Sequence, residues 1–340
     1  MTQLESREWA LAERPVGRPK DTDFAMKDVR VPEPAKGEIQ VRNSWMSVDP
    51  YMRGRMMDRE SYVPPFQIGE TMTGGAVGRV TASAHPDYQE GDLVGSMAGW
   101  REAWTARPED VQANKLPETG VPEQAFLGIL GMPGLTAYAG ILRIADLREG
   151  DTVFVSAAAG AVGSAVCQIA KIKNCTVIGS AGGAAKVDFV RSLGVDHVVD
   201  YKQAGGFEGL VKAVREGAPK GIDVYFDNVG GDHLAAAIEL ARPFARFAIC
   251  GMISQYNATQ PAPGPHNIIN VVGKQLTLRG FIVSSHADLQ PQFIQDMSGW
   301  IRDGKIRYEE TVHDGITRAP EAFLGLFDGA NTGKMLVKLS

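Results

Sequence analysis

Between Thr152 and Lys202 the chain reads TVFVSAAAGAVGSAVCQIAKIKNCTVIGSAGGAAKVDFVRSLGVDHVVDYK, and few folds accommodate that order of residue types. A β-branched apolar run, Thr152 to Val155, leads into Ala158-Ala159-Gly160-Ala161-Val162-Gly163. A helical pattern follows, then a second strand at Thr176-Val177-Ile178. Strand, glycine turn, helix and strand in this order build a dinucleotide site. Gly160 lets the backbone approach a pyrophosphate, and Gly163 lets the helix pack on the strand. The helix N-terminus offers N–H groups to the anion. Ala158 replaces the first glycine of the usual pattern, so the hexapeptide counts only with its context. A tight strand–helix turn without a ligand is the competing reading.

A site for NAD usually ends its second strand with Asp or Glu, which binds the ribose 2′-hydroxyl. Here the strand ends Ile178-Gly179-Ser180, followed by Ala181-Gly182-Gly183, with no carboxylate. Lys186 stands near the start of the next helix, expected over Ala184 to Leu193. A cation and small polar groups suit a 2′-phosphate, which favours NADP. By position alone, a solvated helix lysine explains Lys186 equally well.

A length of 340 residues suggests two domains, and 44% hydrophobic residues are enough for ordinary cores. A net charge of −5 argues against a nucleic-acid partner. No apolar run is long enough to span a membrane. The N-terminal MTQLESREWALAERPVG is too polar for a secretory signal. Cys167, Cys175 and Cys250 all fall in the nucleotide half and read as small buried residues, not as a disulfide framework or zinc cluster. A cytoplasmic protein is expected.

Up to about residue 125 the chain reads as β-rich. Gly37 to Arg42 alternates like a half-buried strand, and Gly74 to Val80 and Gly91 to Gly95 add short strands. Closely spaced Gly and Pro suit a small barrel. A helical pattern runs from Ala125 to Leu147, interrupted by Pro133 and Gly134. Strands are then expected at Thr152–Val155, Thr176–Ile178, His197–Val199, Ile222–Phe226, Phe244–Ile249 and Leu276–Phe281, with helices between the first five. That alternation implies a doubly wound parallel sheet. The Gly/Pro/Asn-rich segment Met252 to Gly273 reads as a lid or binding loop. A helix over Leu289 to Asp303 and a strand over Lys334 to Lys338 complete the pattern, the strand returning to the first domain.

Five segments together resemble the medium-chain dehydrogenase/reductase superfamily, within it the zinc-independent alkenal/one oxidoreductases: Trp45 to Gly54, Leu130 to Tyr138, Ala157 to Gly163, Tyr225 to Gly231 and Cys250 to Asn257. They run through nearly the whole chain in the family's order. The resemblance implies an α/β protein: a Rossmann doubly wound parallel sheet at 126–309, plus a GroES-like β-barrel catalytic domain at 1–125 completed by 310–340. It implies NADPH, a homodimer, and reduction of a carbon–carbon double bond conjugated to a carbonyl in a small apolar enone or enal. It carries cofactor contacts onto Gly160, Ala161, Val162, Gly163, Lys186, Tyr201, Asn228, Cys250, Gly251, Met252, Ile253, Ser254, Gln255, Tyr256, Phe281, Ile282, Val283 and Asn331. Lys186 and Tyr201 are the implied 2′-phosphate partners, and Tyr51 and Tyr256 the implied residues at the substrate.

Metal-dependent relatives place a Cys where Asp49 stands and a Gly-His-Glu around Gly69-Glu70, and this chain has neither that Cys nor that His. Its six histidines are scattered, with no HExxH or CxxC spacing. A metal-free site is therefore expected. Hydride addition to the β-carbon of an enone develops an enolate oxyanion, which without metal needs preorganised donors. Tyr256, just beyond a strand's carboxyl end, is one candidate; its competing role is packing. Tyr51 either lines the substrate site or is structural. Trp45, Met46, Met52, Met56, Met57, Tyr62 and Phe66 read as an adaptable pocket wall or as barrel core. Arg53 and Arg55 face either a carboxylated substrate or solvent. Quinone reduction and non-enzymatic NADPH binding remain the alternatives, since fold does not fix function.

Overall fold

The computed structural model describes residues 4–117 and 119–339, so Met1 to Gln3, Glu118 and Ser340 of the expected domain spans lie outside the described residues. It divides into two compact units, one of 1–127, 310–331 and 335–340, the other of 128–309 and 332–334.

The first unit opens with β1 (Glu5–Leu11) paired antiparallel to β2 (Phe24–Arg30). Then come β3 (Ile39–Ser47), the single-turn α1 (Met52–Arg55), β4 (Ala76–Ser83), β5 (Leu93–Ser96), β6 (Ala103–Ala106) and β7 (Asn114–Lys115). The second unit carries α2 (Met132–Tyr138), β8 (Thr152–Val155), α3 (Ala161–Ile172), β9 (Thr176–Ala181), α4 (Ala184–Ser192), β10 (His197–Asp200), α5 (Tyr201–Ala204) and α6 (Phe207–Gly217). It continues through β11 (Ile222–Asp227), α7 (Gly231–Leu240), β12 (Ala241–Ile249), α8 (Asn270–Gly273), β13 (Thr277–Gly280) and α9 (Gln290–Arg302). The chain ends with β14 (Glu310–Asp314), α10 (Ala319–Asp328) and β15 (Lys334–Lys338).

In the first unit a seven-stranded antiparallel sheet centres on β3. One edge of β3 pairs with β4; the other pairs with β6 over Ile39–Arg42 and with β15 over Trp45–Ser47. Gly78 is required where β4 pairs with β3 at Asn43, because a Cβ there would sit 2.3 Å from the Arg42 carbonyl oxygen. Met46, Met52, Met56 and Phe66 are buried with Phe24, Trp100 and Phe323, so these four build the barrel core and not a pocket wall. Tyr62 is exposed. Arg53 is buried and donates to the Gly17 carbonyl at 2.7 Å; Arg55 donates to the Pro64 carbonyl and Thr73 Oγ1 at 2.9 Å and lies over Phe66. Buried Arg53 does not match the substrate-or-solvent expectation.

The second unit is a six-stranded parallel sheet in the order β10-β9-β8-β11-β12-β13. The order reverses between β8 and β11, and ligands bind at such a switch point beyond the carboxyl ends of the strands. Through the core Tyr225 stacks on Phe154 at 5.1 Å and meets Phe247 edge-on at 5.3 Å. Burying each contributes roughly 1.5–3 kcal/mol. Pro133 and Gly134 do not interrupt a helix: they lie in the first turn of α2, where proline's missing N–H costs nothing. That helix continues as a wider π-type turn over Ala139–Ile144. The 252–273 segment is not structureless, since it holds a 3-10 turn at Ile253–Gln255 as well as α8. The last strand is shorter than expected because Gln275 turns to φ +52° before it.

Candidate active site

After β8 the chain makes its tight turn at Ala157, which holds φ +49°. This left-handed conformation is costly for alanine and is found mostly where surrounding structure enforces it. The Ala158 N–H donates to the Ser180 carbonyl at 2.9 Å, tying the turn to β9. The Gly333 N–H donates to the Ala159 carbonyl at 2.7 Å. Gly160 caps α3 in an extended conformation, and a Cβ there would meet only the Ala157 carbonyl, at 3.3 Å. At Gly163 a Cβ would lie 2.3 Å from that same oxygen, so only glycine lets α3 sit this close to the turn. Gly160, Ala161, Val162 and Gly163 thus form the half-open first turn of a twelve-residue helix, whose positive end faces outward from the strand.

The other residues proposed from the sequence follow the neighbouring strand ends. Asn228 comes after β11 and binds back to β8: its N–H donates to Ser156 Oγ at 2.9 Å and its Nδ2 to the Ser156 carbonyl at 2.8 Å. Cys250 and Gly251 come after β12, and both N–H groups donate to the Asp227 carbonyl. Ile253 and Ser254 donate through N–H groups to the Asn228 and Val229 carbonyls, and Gln255 to that of Met252. A Cβ on Gly251 would come 2.9 Å from Tyr256 Oη, so the tyrosine hydroxyl lies against that glycine. After β13, Phe281 packs edge-on to Phe226 at 6.3 Å, with Ile282 and Val283 opening the next 3-10 turn. The structure therefore gathers 160–163, 228, 250–256 and 281–283 along one edge of the parallel sheet. Tyr51 and Asn331 belong to the other unit.

Tyr51 precedes α1 and is half-buried. Burial, aided by the Asp49 charge and opposed by Arg55, pushes its pKa well above the ordinary tyrosine value. Arg55, which has no acceptor, donates to the Tyr51 oxygen and leaves the O–H as a donor.

At the far end of the same sheet edge, Tyr201 starts α5 directly after β10, and Lys186 lies in the first turn of α4. A Cβ on Gly182 would meet Tyr201 Cε1 at 2.8 Å and Lys202 Cε at 3.0 Å. Burial and the Lys202 charge together push the Lys186 pKa down. Among the described residues neither ammonium forms an ion pair; the adjacent Asp200 carboxylate accepts instead from the Gly183 and Lys202 N–H groups at 3.1 Å. Lys202 escaped the sequence reading; its only signal is adjacency to Tyr201.

Asp227 was also missed. It is fully buried, and its Oδ1 accepts from Tyr225 Oη at 2.8 Å and from the Val229 and Gly230 N–H groups at 2.9 and 2.8 Å. Burial raises its pKa, and with Asp227 beside it burial pushes the Cys250 thiol up to about 12. This carboxylate holds the turn that carries Asn228.

The residues fit a dinucleotide carrying an extra phosphate: a glycine turn with little beside Gly160, a helix N-terminus, and two lysines beyond the second strand. They do not fit a zinc ion. Among the described residues no three His, Cys, Asp or Glu side chains converge as a zinc site requires. Asp49 accepts from Ser47 Oγ.

Residues 7–113 match the family described as the N-terminal domain of oxidoreductase, and residues 161–299 the family described as zinc-binding dehydrogenase. The NADPH-dependent curcumin reductase of Escherichia coli is 41% identical, covering 98% of this chain and 97% of the relative. A 2-alkenal reductase (NADP(+)-dependent) of Nicotiana tabacum is 42% identical over 95% of this chain and 94% of its own. The crystal structure of CurA in complex with NADPH from Vibrio vulnificus superposes with a TM-score of 0.92 at 41% identity, covering 98% of this chain and 99% of that one. The chain belongs to the medium-chain dehydrogenase/reductase superfamily, in the branch that holds the alkenal and curcumin reductases.

Proposed function

We propose that this protein is an NADPH-dependent reductase of the carbon–carbon double bond in α,β-unsaturated ketones and aldehydes. One observation carries the reading: over nearly its whole length the chain matches reductases named for curcumin and for alkenals, compounds that share an alkene conjugated to a carbonyl. NADPH, when bound, supplies the hydride that reaches the β-carbon. Gly160 to Gly163 receive its diphosphate on the α3 N-terminus. Lys186, Tyr201 and Lys202 hold its 2′-phosphate by charge-assisted hydrogen bonds. Asn228, Cys250 to Tyr256, Phe281 to Val283, and Asn331 complete the cofactor contacts.

The oxyanion that grows on the substrate carbonyl requires a donor already in place. Tyr256, whose hydroxyl is held beside Gly251, is that donor in our reading. Tyr51, kept protonated by burial, is the second hydroxyl at the substrate. Neither role needs a metal. The segment 126–309 is the cofactor domain, and 1–125 with 310–340 the catalytic domain.

The protein is further read as a cytoplasmic homodimer. Unpaired Cys167, Cys175 and Cys250 suit a reducing compartment. For the dimer, β13 is an edge strand of the parallel sheet, and Phe244, Ile268, Ile269 and Val272 near it are 51–73% exposed. Phe244 also holds φ +67°, its N–H donating to the Lys274 carbonyl at 2.8 Å.

Steady-state NADPH oxidation with 2-alkenals, aryl enones and quinones tests the activity. Saturated product from the enones, undiminished by a zinc chelator, is expected; turnover confined to quinones would refute it. Tyr256→Phe is expected to lower kcat roughly 10- to 100-fold with little change in NADPH affinity. Unchanged kcat would remove Tyr256 from catalysis.

A further inference from the structure

The parallel-sheet unit holds a buried imidazole that the proposed chemistry does not use. His233, in the first turn of α7, is only 6% exposed. Its Nε2 lies 2.9 Å from Ser180 Oγ, near the end of β9. Its ring stacks near Phe154 of β8 at 6.4 Å and meets the Tyr201 ring at 5.3 Å and 73°. One side chain thus links the end of β9, the start of α5 after β10, and the helix that follows β11.

Burial pushes the His233 pKa down to about 4, so at neutral pH it is a neutral ring with one donor and one acceptor nitrogen. That suits a hydroxyl partner and adds no cation to a spot already holding two. The contact with Tyr201 has a second side. Tyr201 is 41% exposed, yet its ring meets both His233 and Gly182, where a Cβ would come within 2.8 Å. Lys202 approaches the same glycine. Where the Tyr201 hydroxyl stands relative to the two lysines therefore depends on the imidazole behind it.

We propose that His233 is a positioning residue for the cofactor's 2′-phosphate: by fixing the Tyr201 ring against Gly182 it sets the preference for NADPH over NADH. The inference rests on the reading of Lys186, Tyr201 and Lys202 as the phosphate's partners. A purely structural histidine would affect both cofactors alike, because they differ only at that phosphate.

The test is calorimetric titration of the full chain with NADPH and with NADH. His233→Gln keeps a polar partner for Ser180 but removes the ring, whereas His233→Phe keeps the ring and removes the partner. We expect His233→Gln to lower the NADPH-to-NADH affinity ratio about tenfold, and His233→Phe to keep it within about threefold even where its melting temperature falls. Gly182→Ala adds a Cβ that presses on both Tyr201 and Lys202, and a loss of ratio is expected there too. A ratio unchanged in His233→Gln, or NADPH and NADH weakened in equal proportion, overturns the proposal. Wild-type protein with no preference for NADPH would instead overturn the cofactor reading on which it rests.

Discussion

Two ammonium groups brought together with no carboxylate nearby are unfavourable unless an anion joins them. Lys186 and Lys202 approach that position: the Asp200 carboxylate is taken up by the Gly183 and Lys202 N–H groups at 3.1 Å, and burial, with the Lys202 charge added, depresses the Lys186 pKa. Lys186→Ala and Lys202→Ala are each expected to weaken NADPH about tenfold and NADH less than twofold, read by fluorescence titration. Equal losses for both cofactors would contradict the phosphate assignment. His233 carries a separate pH signature. Its folded pKa of about 4 lies below the unfolded value of 6.5, so its contribution to stability is present above pH 6.5. It is lost as pH falls toward 4, because the unfolded chain takes up the proton first. The loss is on the order of 3 kcal/mol. Acid unfolding of His233→Phe should lack this component between pH 6.5 and 4, and an identical acid profile would contradict it. Lys186 was legible in the sequence because a cation follows a strand that ends without a carboxylate. Lys202 and His233 were not, since nothing in their spacing says that Gly182, Tyr201 and Ser180 bring them to one place.

At the scale of elements, close approach of backbones decides the site. Gly163 sits where α3 meets the Ala157 turn, and both sides of that contact are main chain, which cannot yield by a rotamer change. Gly163→Ala is expected to destabilise the protein by about 1–3 kcal/mol and to abolish most of the stabilisation conferred by NADPH. Thermal unfolding with and without the cofactor measures both, and a variant that melts like wild type would show that α3 has room to shift. Asp227→Ala leaves the Val229 and Gly230 N–H groups and the Tyr225 hydroxyl without their acceptor. It should cost about 3 kcal/mol in chemical denaturation, and a loss below 1 kcal/mol would mean that the turn is held by other bonds. The elements themselves were largely readable, because period-two and period-3.6 patterns are local properties. The 132–144 helix was misjudged at Pro133: a proline that opens a helix and one that breaks it look alike until the first turn is located.

For the whole molecule, the open edge of β13 and the exposed Phe244, Ile269 and Val272 lead to a test of assembly. Ile269→Glu with Val272→Glu is expected to convert a dimer into a monomer in sedimentation experiments while leaving the parallel sheet intact. A wild-type monomer at micromolar concentration would remove that reading. The amino-acid sequence alone determined the βα order, the glycine turn, the lack of a carboxylate after β9 and the lack of a zinc-ligand pattern, because each is written in adjacent or evenly spaced residues. Only the tertiary structure decided that Met46, Met52, Met56 and Phe66 are core, that Arg53 is buried, that Lys202 joins Tyr201 at Gly182, and that Asp227 and His233 are buried beside Tyr225 and Tyr201. Those outcomes depend on which distant segments meet, and burial and pairing are properties of the meeting and not of the residue.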